Sequence, residues 1–211
     1  MAQVYAFGDS ITYGAWDIKD SGWANLLRKY FDDKAEKEPD FYGLVYNLGI
    51  PGETTEGLVK RFKSETEVRF RKGQEYIFLF AFGANDSAFI MSKGAFKVSV
   101  EDYVRNLGSV LGDAKSYSTK IALLNTTPVV EAVTAHVESK DKSRLNGYVE
   151  RYNAPLQALA AKHNVPLLDV YSAFMQYDLE RLFCEDGLHP NEVGHKIIFD
   201  LVQKQIEPWL T

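Results

Sequence analysis

Residues 76–86 read Tyr-Ile-Phe-Leu-Phe-Ala-Phe-Gly-Ala-Asn-Asp, and this stretch decides the fold class of the chain. An unbroken apolar run that ends in a turn is typical of a strand buried on both faces, as strands of parallel sheets are. Further strand candidates lie at residues 4–7, 44–48, 121–125 and 165–169, and most of the candidates read as continuous apolar stretches. Together with residues 76–82, they predict a parallel sheet of about five strands.

Apolar residues at helical spacing lie between these strands. They predict helices at residues 23–31, from 58 onward, at 103–111, from 145 onward and at 193–206. We expect Ser99 to cap the third of them and Pro155 to kink or divide the fourth. The charged stretches 32–40 and 138–144 look like solvated loops or helix ends. Because strands and helices alternate, we expect one domain, residues 1–211, folded as a three-layer α/β/α sandwich with a doubly wound, flavodoxin-like parallel sheet.

Composition narrows the classes of partner. The chain has 211 residues and a net charge of −5, and its lysines and arginines are dispersed along the sequence, which argues against a nucleic-acid partner. One cysteine, Cys184, cannot form a disulfide framework. The N-terminus enters a strand without a basic leader, and the longest apolar run is too short to span a bilayer. We therefore expect a cytoplasmic protein with no membrane partner; the sequence carries no signal for its oligomeric state.

Four short motifs follow the ends of predicted elements. Gly8-Asp9-Ser10, Gly52 and Gly83-Ala84-Asn85-Asp86 each come after an apolar run, and Asp186-Gly187-Leu188-His189-Pro190 precedes the last helix. In a doubly wound sheet, ligands bind beyond the carboxyl ends of the strands. The first three motifs are therefore expected to meet along one edge of the sheet.

These residue types have the chemistry of a serine hydrolase. A serine hydroxyl needs a base to remove its proton, and the base needs an acceptor that orients it. An aspartate three residues before a histidine on one loop offers both, while an amide and a backbone N–H can hold a developing oxyanion. Each residue also has an ordinary interpretation: Ser10 as a helix N-cap, Asp186 as an Asx turn, and Gly52 and Asn85 as turn residues.

Taken together, the four motifs resemble the SGNH (GDSL) hydrolase family over essentially the whole chain. The first block reads Gly-Asp-Ser-Ile where the family name has Gly-Asp-Ser-Leu, a conservative change. The resemblance implies a carboxylic ester hydrolase with Ser10 as nucleophile, His189 as base and Asp186 as its partner. It implies an oxyanion hole formed by the Ser10 N–H, the Gly52 N–H and the Asn85 amide, and it implies neither metal nor organic cofactor.

The class of ester is predicted from the residues beside the motifs. Apolar residues beside the motifs suit an acyl or aryl group, and the candidates are Tyr13, Trp16, Phe89, Val129 and Leu188. We expect a small-molecule ester, short in its acyl chain; thioesters, lysophospholipids and acetylated carbohydrates are the alternatives on the same residues.

Three other classes of protein are alternatives to a serine hydrolase. A metal-dependent hydrolase would need Asp9, Asp86, Asp186 and His189 to converge, yet the chain has no His-x-x-x-His pair. A cysteine hydrolase would use Cys184. A flavodoxin-like module that only binds a small ligand would hold it in the loop after the first strand, where Asp9 would repel a phosphate.

Overall fold

Parallel strands form the central sheet of the structure, a computed structural model that describes residues 1–210; Thr211, the last residue of the predicted domain, lies outside them. In chain order the strands are β1 (Ala2–Gly8), β2 (Gly43–Gly49), β3 (Glu75–Ala81), β4 (Phe89–Ile90), β5 (Ala95–Phe96), β6 (Lys120–Leu124), β7 (Lys142–Ser143) and β8 (Leu167–Leu168). The sheet order is β2-β1-β3-β6-β8, and every neighbouring pair is parallel. This is the doubly wound, flavodoxin-like order, in which the strand order reverses between β1 and β3.

Helices cover both faces of this sheet. In chain order they are α1 (Ser10–Tyr13), α2 (Trp23–Lys37), α3 (Thr55–Glu67), α4 (Val100–Ala114), α5 (Glu131–Thr134), α6 (Asn146–His163), α7 (Val170–Phe174) and α8 (Glu192–Ile206). Short 3₁₀ turns lie at Met91–Lys93, Glu138–Lys140, Leu179–Arg181 and Glu207–Trp209. Ser99 caps α4 as expected, because its side chain accepts a hydrogen bond from the Asp102 N–H.

The side chains of β1 alternate between two hydrophobic cores. Tyr5 and Phe7 belong to the core that packs under α3, α4 and α6. Val4 and Ala6 belong to the opposite core, under α2, α7 and α8. Burial on both faces explains why this strand and β3 read as unbroken apolar runs, and it confirms the three-layer α/β/α class.

The structure revises two expectations about local structure. Pro155 does not divide the fourth helix, because α6 continues through it from Asn146 to His163. Tyr152 and Leu156, on either side of the proline, are fully buried in the core, and this packing holds the two halves in one helix. Residues 138–144 are not only a solvated loop, because Ser143 and Arg144 are buried.

A second, smaller sheet lies beside the central one. Its order is β5-β4-β7, and both pairs are antiparallel, with Phe89 opposite both Phe96 and Ser143. It begins three residues after Asp86, so it extends from the same end of β3 that carries the Asn85 motif. This small sheet therefore borders the edge where the sequence motifs meet.

Candidate active site

Ser10 lies at the first position of α1, directly beyond the end of β1. The preceding Asp9 caps this short helix, with its Oδ1 accepting the Ile11 N–H at 2.9 Å. The chain turns back sharply here: a Cβ on Gly8 would lie 2.0 Å from the Thr12 Oγ1. Glycine is therefore required at position 8, and the sharp turn places Ser10 at the edge where the strand order reverses.

The ring of His189 links Ser10 to Asp186. Its Nε2 lies 2.8 Å from the Ser10 Oγ, and its Nδ1 lies 2.5 Å from the Asp186 Oδ2. Ser10 and His189 are both buried, each with 9% of its surface exposed. The three predicted residues thus form one continuous line of hydrogen bonds, although Ser10 and His189 are 179 positions apart.

The loop that carries Asp186 and His189 is held by the aspartate itself. Its Oδ1 accepts the backbone N–H groups of Leu188 and His189, each at 3.0 Å, and Gly187 turns between them with a φ of +64°. Burial alone would raise the pKa of Asp186, but the hydrogen bonds from the His189 ring and from these N–H groups hold it well below its usual value. Asp186 therefore forms the Asx turn and orients the imidazole at the same time.

Asn85 is held beside Ser10 by Asp9. The Asn85 Nδ2 donates to the Asp9 Oδ2 at 3.2 Å, and both side chains are buried. Burial raises the pKa of Asp9 to about 6, although the bond from the Ile11 N–H opposes the shift. Sequence reasoning missed this contact, because it joins residues 76 positions apart and leaves no local pattern. Asp9 thus fixes both α1 and the Asn85 amide.

The loop after β2 brings Gly52 to the same edge. Gly49 pairs with Gly8 in the sheet, and Gly52 follows in an exposed turn with a φ of +79°. Its carbonyl accepts a hydrogen bond from the Lys97 Nζ at 2.8 Å. Within residues 1–210, no hydrogen bond joins Gly52 to Ser10 or Asn85, so the three candidate oxyanion donors share an edge without bonding to one another.

The buried carboxylate of Asp86 and the half-buried side chain of Arg61 tie this loop down. Asp86 accepts hydrogen bonds from the Thr55 N–H at 3.0 Å and the Thr55 Oγ1 at 2.6 Å. Arg61 binds Glu53 through its Nε at 2.9 Å and donates to the Leu48 carbonyl at 2.6 Å. Burial raises the pKa of Asp86 to about 6, against the bonds from Thr55. The start of α3 is thereby fixed to the Asn85 motif.

The predicted substrate-contact residues fall into three groups. Trp16 and Tyr13 are exposed, and the Trp16 ring meets the His189 ring edge-on at a centroid distance of 5.8 Å. Phe89 and Leu188 are half-buried. Val129 is buried, and Asn146 binds both its N–H and its carbonyl, so its part in substrate contact stays a prediction.

A metal-dependent hydrolase would need a group of metal ligands, and a cysteine hydrolase would need Cys184 as its nucleophile. Within residues 1–210, no three or more His, Cys, Asp and Glu side chains are grouped as metal ligands would be. The Cys184 Sγ contacts the carbonyls of Trp16 and Pro190, at 4.0 and 3.7 Å. His195 is fully buried inside α8, where burial lowers its pKa to about 4. In the described part of the chain, no helix combines the length and apolarity needed to cross a bilayer.

Known proteins share this sequence pattern over nearly the whole chain. The sequence profile of the GDSL-like Lipase/Acylhydrolase family matches residues 6–197. The "Isoamyl acetate-hydrolyzing esterase 1 homolog" of Homo sapiens is 27% identical over 215 residues, which cover 95% of this chain and 81% of that protein. The "Uncharacterized lipoprotein YqeF" of Bacillus subtilis (strain 168) is 26% identical over 225 residues, covering 95% of this chain and 87% of that protein.

Solved structures share the fold. The lipase/acylhydrolase from Enterococcus faecalis superposes with a TM-score of 0.79 at 24% identity, covering 100% of this chain and 98% of that one. Axe2, an acetylxylan esterase from Geobacillus stearothermophilus, superposes with a TM-score of 0.71 at 18% identity, covering 97% of this chain and 93% of that one. At these identities the likeness establishes the α/β architecture.

Proposed function

The chain belongs to the GDSL-like Lipase/Acylhydrolase family and is a carboxylic ester hydrolase, and we propose that it cleaves small, short-chain acyl esters with Ser10 as the nucleophile. The observation that carries this proposal is the line of hydrogen bonds from Ser10 through His189 to Asp186, at 2.8 and 2.5 Å. Both are hydrogen-bond distances, as is required when a nucleophile gives its proton to a base and a third group orients that base.

In the first half of the reaction, the Ser10 Oγ attacks the ester carbonyl while its proton passes to the His189 Nε2. The resulting imidazolium is stabilised by Asp186, which stays ionised because its hydrogen bonds keep its pKa low. When the tetrahedral intermediate collapses, the bond to the alcohol oxygen breaks and His189 returns the proton to that oxygen. The acyl group is left as an ester of Ser10.

In the second half, water replaces the alcohol. His189 takes a proton from the water as it attacks the acyl carbonyl, and the same imidazolium then protonates the Ser10 Oγ as the acid leaves. The enzyme is regenerated, and the net reaction is an ester and water giving an acid and an alcohol.

Charge on the carbonyl oxygen needs donors that already point at it. Asn85 supplies one, because its amide has two N–H groups and Asp9 accepts only one of them. The Ser10 N–H lies in the first turn of α1, where N–H groups have no acceptor within the helix. We assign the third donor to the Gly52 N–H, from the loop that Lys97 and Arg61 hold in place.

The preference for short acyl groups rests on the surroundings of Ser10. Trp16 and Tyr13 offer exposed aromatic surface, while Leu188 adds a half-buried aliphatic side chain. Two similar proteins are named for acetyl esters, the isoamyl acetate-hydrolyzing esterase 1 homolog and the acetylxylan esterase. These features favour a small acyl ester over a long-chain lipid.

A panel of 4-nitrophenyl esters of increasing acyl length tests this proposal, run beside an acetylated xylo-oligosaccharide and acetyl- and decanoyl-CoA. We expect kcat/KM to be highest for acetate to butyrate and to fall for longer chains. Ser10→Ala should abolish turnover, while Ser64→Ala, an exposed serine on α3, should retain it. Higher kcat/KM for the sugar, the thioesters or the long chains would replace the proposed substrate, and an active Ser10→Ala variant would refute the nucleophile.

A further inference from the structure

Arg144 is a buried cation beside the candidate active site. Only 7% of its surface is exposed, and Thr134 fixes its backbone, accepting the Arg144 N–H at 2.9 Å and donating its hydroxyl to the Arg144 carbonyl at 2.9 Å. The guanidinium Nε donates to the carbonyl of Ala84 at 3.3 Å. The side chain therefore reaches the residue that immediately precedes Asn85.

The guanidinium has no carboxylate partner within residues 1–210. Asp9 and Asp186 are close enough to raise its pKa, although burial has the larger effect and lowers it. Both carboxylates are occupied elsewhere: Asp9 binds Ile11 and Asn85, and Asp186 binds Leu188 and the His189 ring. Buried charges in proteins are normally paired. Among the described residues, neither Nη group of Arg144 donates a hydrogen bond, so both are available to a ligand.

Two lysines extend this positive charge along the small sheet. Lys142 lies on β7, two residues before Arg144, and is half-buried. Burial lowers its pKa, and the neighbouring Arg144, Lys97 and Lys140 lower it further. Lys97 follows β5 and donates to the carbonyl of Gly52.

The fold creates this cluster from residues that are far apart in sequence. Positions 97, 142 and 144 come together because β7 pairs with β4, which also pairs with β5. The sequence suggested that lysines and arginines are dispersed. At this edge of the folded chain they are clustered instead. Because the whole chain carries a net charge of −5, a local positive cluster is what an anionic ligand would need to approach Ser10.

We propose that Arg144 and Lys142 form an anion-binding subsite beside Ser10, which takes a carboxylate or phosphate carried by the ester substrate. A planar guanidinium with two free Nη groups suits such an anion, because it can donate two parallel hydrogen bonds to one oxyacid group. The subsite deepens the proposed function and rests on it: the enzyme would prefer a short-chain ester whose alcohol or acyl part is negatively charged.

Matched pairs of esters test this preference. In one arm, 4-acetoxybenzoate is compared with its methyl ester; in a second, mono-4-nitrophenyl glutarate is compared with its methyl ester; in a third, 4-acetoxyphenyl phosphate is compared with phenyl acetate. We expect at least one anionic ester to have a higher kcat/KM than its neutral partner at low ionic strength. The arm that shows it identifies the position and kind of anion.

Variants then locate the subsite. Arg144→Gln should lower the anionic-to-neutral ratio of kcat/KM by about 10-fold to 100-fold, the loss expected for a hydrogen bond to a charged group. Lys142→Gln should lower it by several-fold. Lys72→Gln is the control, because it removes the same charge from an exposed position just before β3, at the opposite end of the sheet, and should leave the ratio unchanged.

Several results would overturn the subsite. Equal losses on neutral and anionic esters would make Arg144 a residue that only positions Ala84 and Asn85. No preference in any arm, with neutral esters still cleaved, would refute the subsite and leave the proposed function standing. If Arg144→Gln does not fold, Lys142→Gln decides the question, and an unchanged ratio in that variant refutes the proposal. Failure to cleave any neutral ester would instead count against the proposed function.

Discussion

Replacing Asp186 by asparagine separates its role as a turn residue from its role beside the imidazole. The carbonyl oxygen of the substituted side chain can still accept the N–H groups of Leu188 and His189, so the loop should keep its shape. The new amide, however, presents N–H where the Oδ2 lay 2.5 Å from the His189 Nδ1. The ring must then accept at Nδ1 and carry its proton on Nε2, where it cannot take the proton of Ser10.

The size of the effect follows from the charges. The charges of a carboxylate and an imidazolium are spread over each group, so their centres lie about 4 Å apart. In surroundings with an effective dielectric constant near 20, they attract each other by about 4 kcal/mol. At about 1.36 kcal/mol for each tenfold change in rate, this corresponds to about 10³ in kcat. Loss of the correct tautomer acts in the same direction, so we expect a decrease of about 10³–10⁴.

Steady-state hydrolysis of 4-nitrophenyl acetate, with circular dichroism and a melting curve for each variant, measures this effect. Asp178→Asn is the matched control, because the exposed Asp178 accepts the Glu180 N–H at 3.2 Å in a similar turn. It should keep full activity. A folded Asp186→Asn variant whose kcat stays within tenfold of the parent would refute the reasoning and reduce Asp186 to a turn residue.

Three further perturbations test neighbouring groups. Asn85→Ala should lower kcat by about 10²–10³, the loss expected for one oxyanion donor, while KM changes little; a lower melting temperature with kcat preserved would make Asn85 structural. Because burial raises the pKa of Asp9 to about 6, its contribution to stability is greatest below pH 3.8 and is lost as pH rises through about 6. Asp9→Asn should therefore raise the melting temperature above that of the parent, and by more at pH 8 than at pH 5. Its kcat should fall, because Asn85 loses its acceptor. A difference in melting temperature between variant and parent that does not change with pH would contradict this. Burial also raises the pKa of Cys184, so iodoacetamide should leave most of the activity, and rapid inactivation would point to a cysteine nucleophile instead.

The sequence predicted the architecture where its signals were local. Unbroken apolar runs located the strands of the central sheet, because burial on both faces removes polar residues from them. The motifs at Ser10 and Asn85 could be placed at one edge, since both follow the carboxyl ends of predicted parallel strands. The spacing of Asp186 and His189 indicated that one loop could present both side chains.

What the sequence could not predict depends on contacts between distant residues. The bond from Asn85 to Asp9 and the buried position of Arg144 arise only when the strands are assembled. The small sheet that ends just before Arg144 has two-residue strands, which are too short to produce a periodic pattern. Pro155 does not divide α6 for a related reason: the core contacts of Tyr152 and Leu156 outweigh the one hydrogen bond that proline removes.

The central claim is that Ser10 is the nucleophile, and covalent labelling tests it most directly. The protein is treated with a fluorophosphonate, its intact mass is measured, and the labelled peptide is sequenced by mass spectrometry. We expect a single adduct, located on Ser10, with activity lost in proportion to labelling and no adduct on Ser10→Ala. An adduct on any other residue, or activity that survives complete labelling of Ser10, would contradict the account.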